Sequence, residues 1–348
     1  MTLSASGVNV KAAVAKAATW GTAVACGADN GILIKPHTLK KTREALIDDS
    51  LGLYFPADSV NTQVKAAGDI PSYLRYDGLD LLIALAMGAT GGAPVQQGAT
   101  TAYSQKFSLA DTLDGLFATF IVNNQINIDE WTTVKITGFQ IKGQVGKPLE
   151  ISFHATAIDR QADSVVNTLT TFNNVTFFET ANRVLYSQGV FRLNQASDVA
   201  LGSANIVYPD NFTLEFKRKM AGKYGTGTTM DLIDEPTNDG LPEVTLKLEF
   251  PRYQSNQYFA DWDADTRLKM DMTFTGGNIA GTYNRSLAIS LPNLKISNVE
   301  LPMSAGILKH PLEFQCLSAQ GGTPPAGMTV TQPFEVDVVN RMSTDVLA

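Results

Sequence analysis

The chain has 348 residues, 44% of them hydrophobic and only 18% charged, with a formal net charge of -7. That length suggests two domains with ample core material, and an acidic balance argues against a binder of phosphate backbones, which needs clustered Lys and Arg. Two distant cysteines, Cys26 and Cys316, and three scattered histidines, His37, His154 and His310, give neither a disulfide framework nor metal-ligand spacing.

Residues 1–30 read as an Ala-rich N-terminal arm. Val24-Ala25-Cys26-Gly27 looks like a lipoprotein cleavage box, but Lys11 and Lys16 interrupt the apolar stretch that a signal peptide needs. No apolar run approaches the roughly 18 residues that span a bilayer, so no membrane association is expected and the chain should stay in the cytoplasm where it is made. Residues 31–160 read as a first β unit. Within it, Asp77 is placed to cap a short helix over Leu79–Met87 that Gly88 ends. Residues 161–205 form a connector or insertion rich in Asn and Thr, with strand character at Val175–Phe178. Residues 206–348 form a second β unit with a C-terminal tail, whose last strand falls near Phe334–Val339. Val244, Leu246, Leu248 and Phe250 alternate with polar residues, as do Leu268, Met270, Met272 and Phe274. Such alternation marks strands with one face on a core.

The two β units share a block order. Lys135-Ile136 recurs as Lys295-Ile296, and Thr38-Leu39 as Thr213-Leu214. Pro148-Leu149-Glu150 recurs as Pro311-Leu312-Glu313, and Ile70-Pro71 as Phe250-Pro251. Leu46-Ile47-Asp48-Asp49 resembles Leu232-Ile233-Asp234-Glu235. In both units the apolar parity changes at one point, after Ile136 and after Ile296. A parity change in a strand requires an extra residue, so a β-bulge is expected at or beside Gly138 and Asn298. On the block match, Cys316 takes the place of Phe153 and reads as a small core residue. His154 faces the opposite side.

A search for chemistry finds no nucleophile elbow, zinc-protease helix or dinucleotide fingerprint, and the expectation is a chain that is not an enzyme and holds no cofactor or metal. Gly143–Lys147 lacks the spacing of a phosphate loop and reads as a hairpin turn. Asp261, Asp263 and Asp265 have the odd spacing of a calcium loop, but Thr266 and Met272 stand where Gly and Glu are required. Adjacent carboxylates at Asp48-Asp49 and Asp234-Glu235 do not face each other across a bond as a glycosidase pair does. Lys40, Lys41 and Arg43, and in the second unit Lys217, Arg218 and Lys219, suggest a positive edge meeting the acidic loops of a neighbouring subunit.

Several features together resemble the major tail tube proteins of phages with long, non-contractile (siphovirus-type) tails. They are Thr19-Trp20-Gly21-Thr22, Tyr76-Asp77-Gly78-Leu79, Thr213-Leu214-Glu215-Phe216-Lys217-Arg218 and Leu232-Ile233-Asp234-Glu235-Pro236, followed by the closing β unit. The resemblance implies a mainly β fold: two tandem tube-type β-sandwich or barrel units with a flanking short helix, joined by a connector. It also implies stacked rings through which DNA passes without specific binding, with tape measure, terminator and tail-tip proteins as further partners. A ring of six such units needs only three duplicated chains, a homotrimer with pseudo-hexameric symmetry. The chain would then be a virion tail component made in the host cytoplasm. Trp20, Leu46, Ile47, Asp48, Asp49, Lys217, Arg218, Lys219, Leu232, Ile233, Asp234 and Glu235 are the expected inter-subunit contacts. The alternatives are a terminator or baseplate ring, and a β-sandwich carbohydrate-binding or adhesin module. The dispersed Trp20, Trp131 and Trp262 argue against the latter.

Overall fold

The computed structural model describes residues 7–49, 54–55, 58–178, 182–225, 231–301, 303 and 306–348. The first part of the chain forms β1 (Lys11–Ala17), β2 (Gly31–Ile32), β3 (Lys40–Ile47), β4 (Ser59–Tyr73), helix α1 (Asp80–Met87), β5 (Gly88–Ala89), β6 (Val95–Gln96), β7 (Tyr103–Leu109), β8 (Phe117–Asn123), β9 (Ile128–Gln144), β10 (Glu150–Ala157) and β11 (Arg160–Ala162). After the short helix α2 (Leu169–Phe172) come β12 (Gly189–Gln195), β13 (Ile206–Val207), β14 (Asn211–Lys217), β15 (Met220–Ala221), β16 (Thr237–Asn238), β17 (Glu243–Phe250), helix α3 (Gln257–Asp263), β18 (Leu268–Ala280), β19 (Tyr283–Val299), β20 (His310–Leu317) and β21 (Glu335–Asn340).

Eight of these strands lie side by side, every neighbour antiparallel, in the order β3–β4–β10–β9–β14–β17–β20–β19. Their apolar residues alternate with polar ones, so β10, β14, β17 and β20 each bury every second side chain. The buried face packs on a second layer. There β2, β1, β8 and the N-terminal half of β9 pair in turn, as do β13, β12, β18, the N-terminal half of β19, β21 and β7. The 17-residue strands β9 and β19 therefore belong to both layers. One continuous apolar cluster runs through both halves of the chain, from Val14 and Trp131 to Phe274 and Phe314.

Both long strands carry a bulge where they change layers. Ile136 pairs with Ala155 and Gly138 with His154, leaving Thr137 extra; Ile296 pairs with Phe314 and Asn298 with Glu313, leaving Ser297 extra. A second irregularity recurs between Ala118 and Phe120 opposite β9, and between Leu268 and Met270 opposite β19. The β1–β2 contact, Ala12 on Ile32 and Ala13 on Gly31, recurs as Phe191 on Val207 and Arg192 on Ile206. Its turn recurs too: the Gly27 N–H donates to Asn30 Oδ1 at 2.6 Å, and the Gly202 N–H to Asn205 Oδ1 at 2.9 Å.

Placing bulge on bulge sets Lys135 on Lys295. It also aligns the transverse row Lys40, Ala67, Thr156, Lys135 with Glu215, Thr245, Gln315, Lys295. The Thr38-Leu39 and Lys135-Ile136 matches agree with these registers. The Pro148 match is displaced by four residues and the Ile70-Pro71 match by two. Cys316, buried in the core, consequently stands in the place of Ala157, and Leu312 in that of Phe153. An even slip preserves the in–out alternation, so the pattern alone does not reveal it. The Leu46 and Leu232 blocks are not equivalent, because Leu46 lies on the outgoing strand of its hairpin and Leu232 on the returning one.

Two further expectations need correction. Asp77 does not cap α1: Leu79 occupies that position, the Asp80 carboxylate accepts the Gly78 N–H at 3.2 Å, and Asp77 is buried in an ion pair with Arg285 at 2.9 Å. Gly88 ends the helix in the left-handed conformation. Val175–Phe178 is not a strand; Thr176 donates its N–H to Ala28 O at 2.8 Å. The final strand near Phe334–Val339 is present as β21.

Candidate assembly surfaces

The two four-strand blocks meet where β14 pairs with the C-terminal half of β9, from Asn211 on Gln144 to Lys217 on Gly138. Phe216 packs edge-on against Phe139, ring centroids 5.6 Å apart. A Cβ at residue 138 would lie 2.1 Å from the Phe216 carbonyl oxygen, so this close approach requires glycine. Beyond β14 the hairpin of β15 and β16 lies across β3 and β4. Arg43 pairs with Asp231 at 3.0 Å, Val64 donates its N–H to Asp231 O at 2.8 Å, and the Tyr224 hydroxyl donates to Val64 O at 2.9 Å.

Several expected contact residues are used inside this seam. Trp20 donates its indole N–H to Ile233 O at 3.0 Å and meets Phe117 edge-on. Glu235 accepts from Lys135, whose side chain is fully buried and also donates to Leu113 O. Burial lowers the Lys135 pKa, and the Glu235 carboxylate opposes that shift. Leu232 and Ile233 are half-buried, while Asp234 is exposed and donates its N–H to Lys223 O. Arg218 is buried and donates to Met87 O at 3.0 Å and Ala110 O at 2.7 Å, a cation at the C-terminus of α1. Lys217 pairs with Glu215 two residues away, and Lys219 is exposed.

Leu46, Ile47, Asp48 and Asp49 sit in a different environment. All eight residues of β3 are exposed, with Leu46 at 68% and Ile47 at 54%. Asp48 donates its N–H to Asp58 O across the hairpin. Among the described residues β3 has a strand partner, β4, on one edge only. The Asn298–Val299 end of β19 likewise pairs only with β20. Lys135 and Asp231 were not expected as contacts from the sequence, and Arg43, read there as part of a positive edge facing a neighbouring subunit, pairs instead within the chain. Lys135 carried the one available signal, a charge at a recurring position inside an apolar strand.

The second face of the eight-stranded sheet is polar. Glu150, Lys142, Thr213, Lys247 and Glu313 form one transverse row across five strands. Lys247 pairs with Glu313 at 2.5 Å and Lys35 with Glu150 at 2.5 Å; Lys309 pairs with Glu249. His154 Nδ1 lies 2.7 Å from Asp69 on this face.

The chain matches the family described as phage tail tube protein over residues 7–336. It belongs to that family. It is a structural subunit of a phage tail tube, a component of the virion tail that self-assembles into a tube and works with other tail proteins. No curated protein matches the chain. Among the described residues of this tube subunit, no helix is long and apolar enough to cross a membrane, and no group of three or more His, Cys, Asp or Glu is arranged to hold a metal.

Proposed function

We propose that three copies of this chain close into a ring, that rings stack into the hollow tube of a long non-contractile tail, and that each chain carries the tube unit twice. The observation that supports this reading is the eight-stranded sheet. It consists of two four-strand blocks with the same pairing order, and among the described residues it ends in an uncovered edge at β3 and at the C-terminal end of β19. In this reading the first unit reaches back to β1 and the second to β12, because each of these strands pairs with its own unit's outer layer.

Strand number sets the bore. A barrel of eight strands is filled by its own side chains, whereas sixteen or more leave an aqueous channel. Three copies of eight strands give twenty-four. At about 4.8 Å between strands and a tilt near 40°, the backbone diameter is about 48 Å, which clears a DNA duplex. The buried face is occupied by the core, so the polar face lines the lumen. Its registers carry six carboxylates (Asp69, Glu150, Glu215, Glu243, Glu249, Glu313) and, besides the buried Lys135, six lysines (Lys40, Lys65, Lys142, Lys217, Lys247, Lys295). The net charge of -7 is therefore hardly expressed on this wall. Cross-strand ion pairs neutralise one another and leave little field to hold a passing phosphate backbone. Tape measure, terminator and tail-tip proteins complete the assembly, and synthesis takes place in the host cytoplasm.

Electron microscopy of the purified protein across a concentration series tests this reading. Rings of three chains with pseudo-sixfold density are expected. Rings of six chains refute the duplicated-unit ring, and compact monomers at every concentration refute the tube subunit that assembles unaided.

A further inference from the structure

We infer that the contact between two copies repeats the strand pairing found inside one copy, with Lys40 of one chain directly opposite Glu300 of the next. This rests on the ring reading above and adds the register of the seam. Within the chain, β14 fills the outer edge of β9, setting Lys217 on Gly138 and Glu215 on Gln140. The recurring bulges carry Gly138 onto Asn298, and continuing the same spacing carries Gln140 onto Glu300, the residue just past the end of β19, whose carboxylate accepts from Asn298 Nδ2 at 2.8 Å. The transverse rows that place Lys40 with Glu215 place Thr42 with Lys217. The corresponding pairs between copies are Asn298 with Thr42 and Glu300 with Lys40. Both edges are uncovered among the described residues.

Three properties support this occupant. The register keeps polar residues together on the polar face, and it sets a lysine against a glutamate, a favourable cross-strand pair. The chemistry also suits an edge that is exposed before assembly. The in-chain seam packs Phe216 edge-on against Phe139, whereas its counterpart sets Val299 beside Lys41. Lysines on a free edge strand keep isolated chains from pairing indiscriminately. Finally, the second-unit hairpin half-buries Leu232 and Ile233 against the first unit, while the first-unit hairpin leaves Leu46 and Ile47 exposed. Repeating the seam lays that exposed hairpin across the second unit of the neighbouring copy. One position differs: Asn298 has a side chain where Gly138 has none, so the cross-link is best placed at the next pair.

Paired cysteines in the full-length protein read the register directly, since Cys26 and Cys316 are buried. Assembled tubes of Lys40→Cys/Glu300→Cys should oxidise to a covalent ladder, and the displaced combinations Thr38→Cys/Glu300→Cys and Thr42→Cys/Glu300→Cys should not. Separately, Lys40→Glu should raise the concentration needed for assembly roughly tenfold, and adding Glu300→Lys should restore it. A ladder strongest in a displaced pair overturns the register while the tube stands. Tubes with no ladder in any pair overturn the seam and leave a different tail protein or surface at these edges. Absence of any ring or tube in the wild-type chain overturns the ring reading itself.

Discussion

Replacing Gly138 by alanine should loosen the seam between the two halves of the chain. The added Cβ would lie 2.1 Å from the Phe216 carbonyl oxygen, and ordinary contact begins at 3.4 Å. Strand β14 must therefore retreat by about 1.3 Å, which stretches a hydrogen bond of about 2.9 Å beyond bonding range. Two ladder bonds at about 1 kcal/mol each, with about 1 kcal/mol of misfit among the packed rings, give a loss of about 3 kcal/mol. Unfolding a chain of 348 residues carries an entropy of about 0.7 kcal/mol/K, so the midpoint should fall by about 4 °C. Thermal unfolding of dilute, unassembled protein measures this. Gly277→Ala is the control, because nothing lies within 4 Å of its Cβ position. If Gly138→Ala unfolds with Gly277→Ala and wild type, the close approach of β14 is wrong.

Other outcomes follow from buried charge and exposed apolar surface. Arg285→Met should cost about 3–5 kcal/mol, because it leaves Asp77 buried with, among the described residues, the neutral Asn182 and the Arg341 backbone N–H as its donors. The double variant Asp77→Leu/Arg285→Met should recover much of that loss in urea unfolding, and additivity of the two changes would contradict a coupled pair. Burial raises the Asp80 pKa from 3.8 to about 6, against the Asn340 hydrogen bond that lowers it. The folded state therefore holds this proton more tightly, and the resulting stabilisation, full below about pH 4, is lost as pH rises through 6. Asp80→Asn should gain about 3 kcal/mol relative to wild type between pH 4 and pH 7.5, and a pH-independent difference would show that Asp80 is not the group responsible. Leu46→Asp/Ile47→Asp should leave the unfolding midpoint of the monomer unchanged, since both side chains are exposed, yet abolish tubes in electron micrographs; normal tubes would remove this hairpin from the assembly surface.

The parity change after Ile136 and Ile296 located both bulges, and alternation identified β17 and β18, because a half-buried strand leaves period-two traces. Strand β1 left none. Its buried residues are Ala12, Ala13, Val14, Ala15 and Ala17, on both faces, and alanine carries little strand preference, so a strand paired along its whole length with β8 read only as an Ala-rich arm. Asp77 looked like a helix cap because a cap and a buried ion-pair partner call for the same side chain; only Arg285, more than two hundred residues away, distinguishes them. Arg218 read as a surface charge, although Met87 O at the end of α1 and Ala110 O just after β7 draw it inside. The contact residues divided in the same way: Trp20, Ile233 and Glu235 are used within the chain, and Leu46 and Ile47 remain exposed. Sequence blocks that look alike do not say which copy of a seam is closed within the molecule.

The strand count of the eight-stranded sheet has a directional consequence. With every neighbour antiparallel, an even count makes the first and last strands point opposite ways. Joining unlike edges in antiparallel fashion then requires each incoming chain to stand the same way up as the one before it. All first-unit hairpins must project from the same rim, and the two rims of the assembled object carry different chemistry. Such a filament has a head and a tail, so growth can start at one end and be stopped by a different protein at the other.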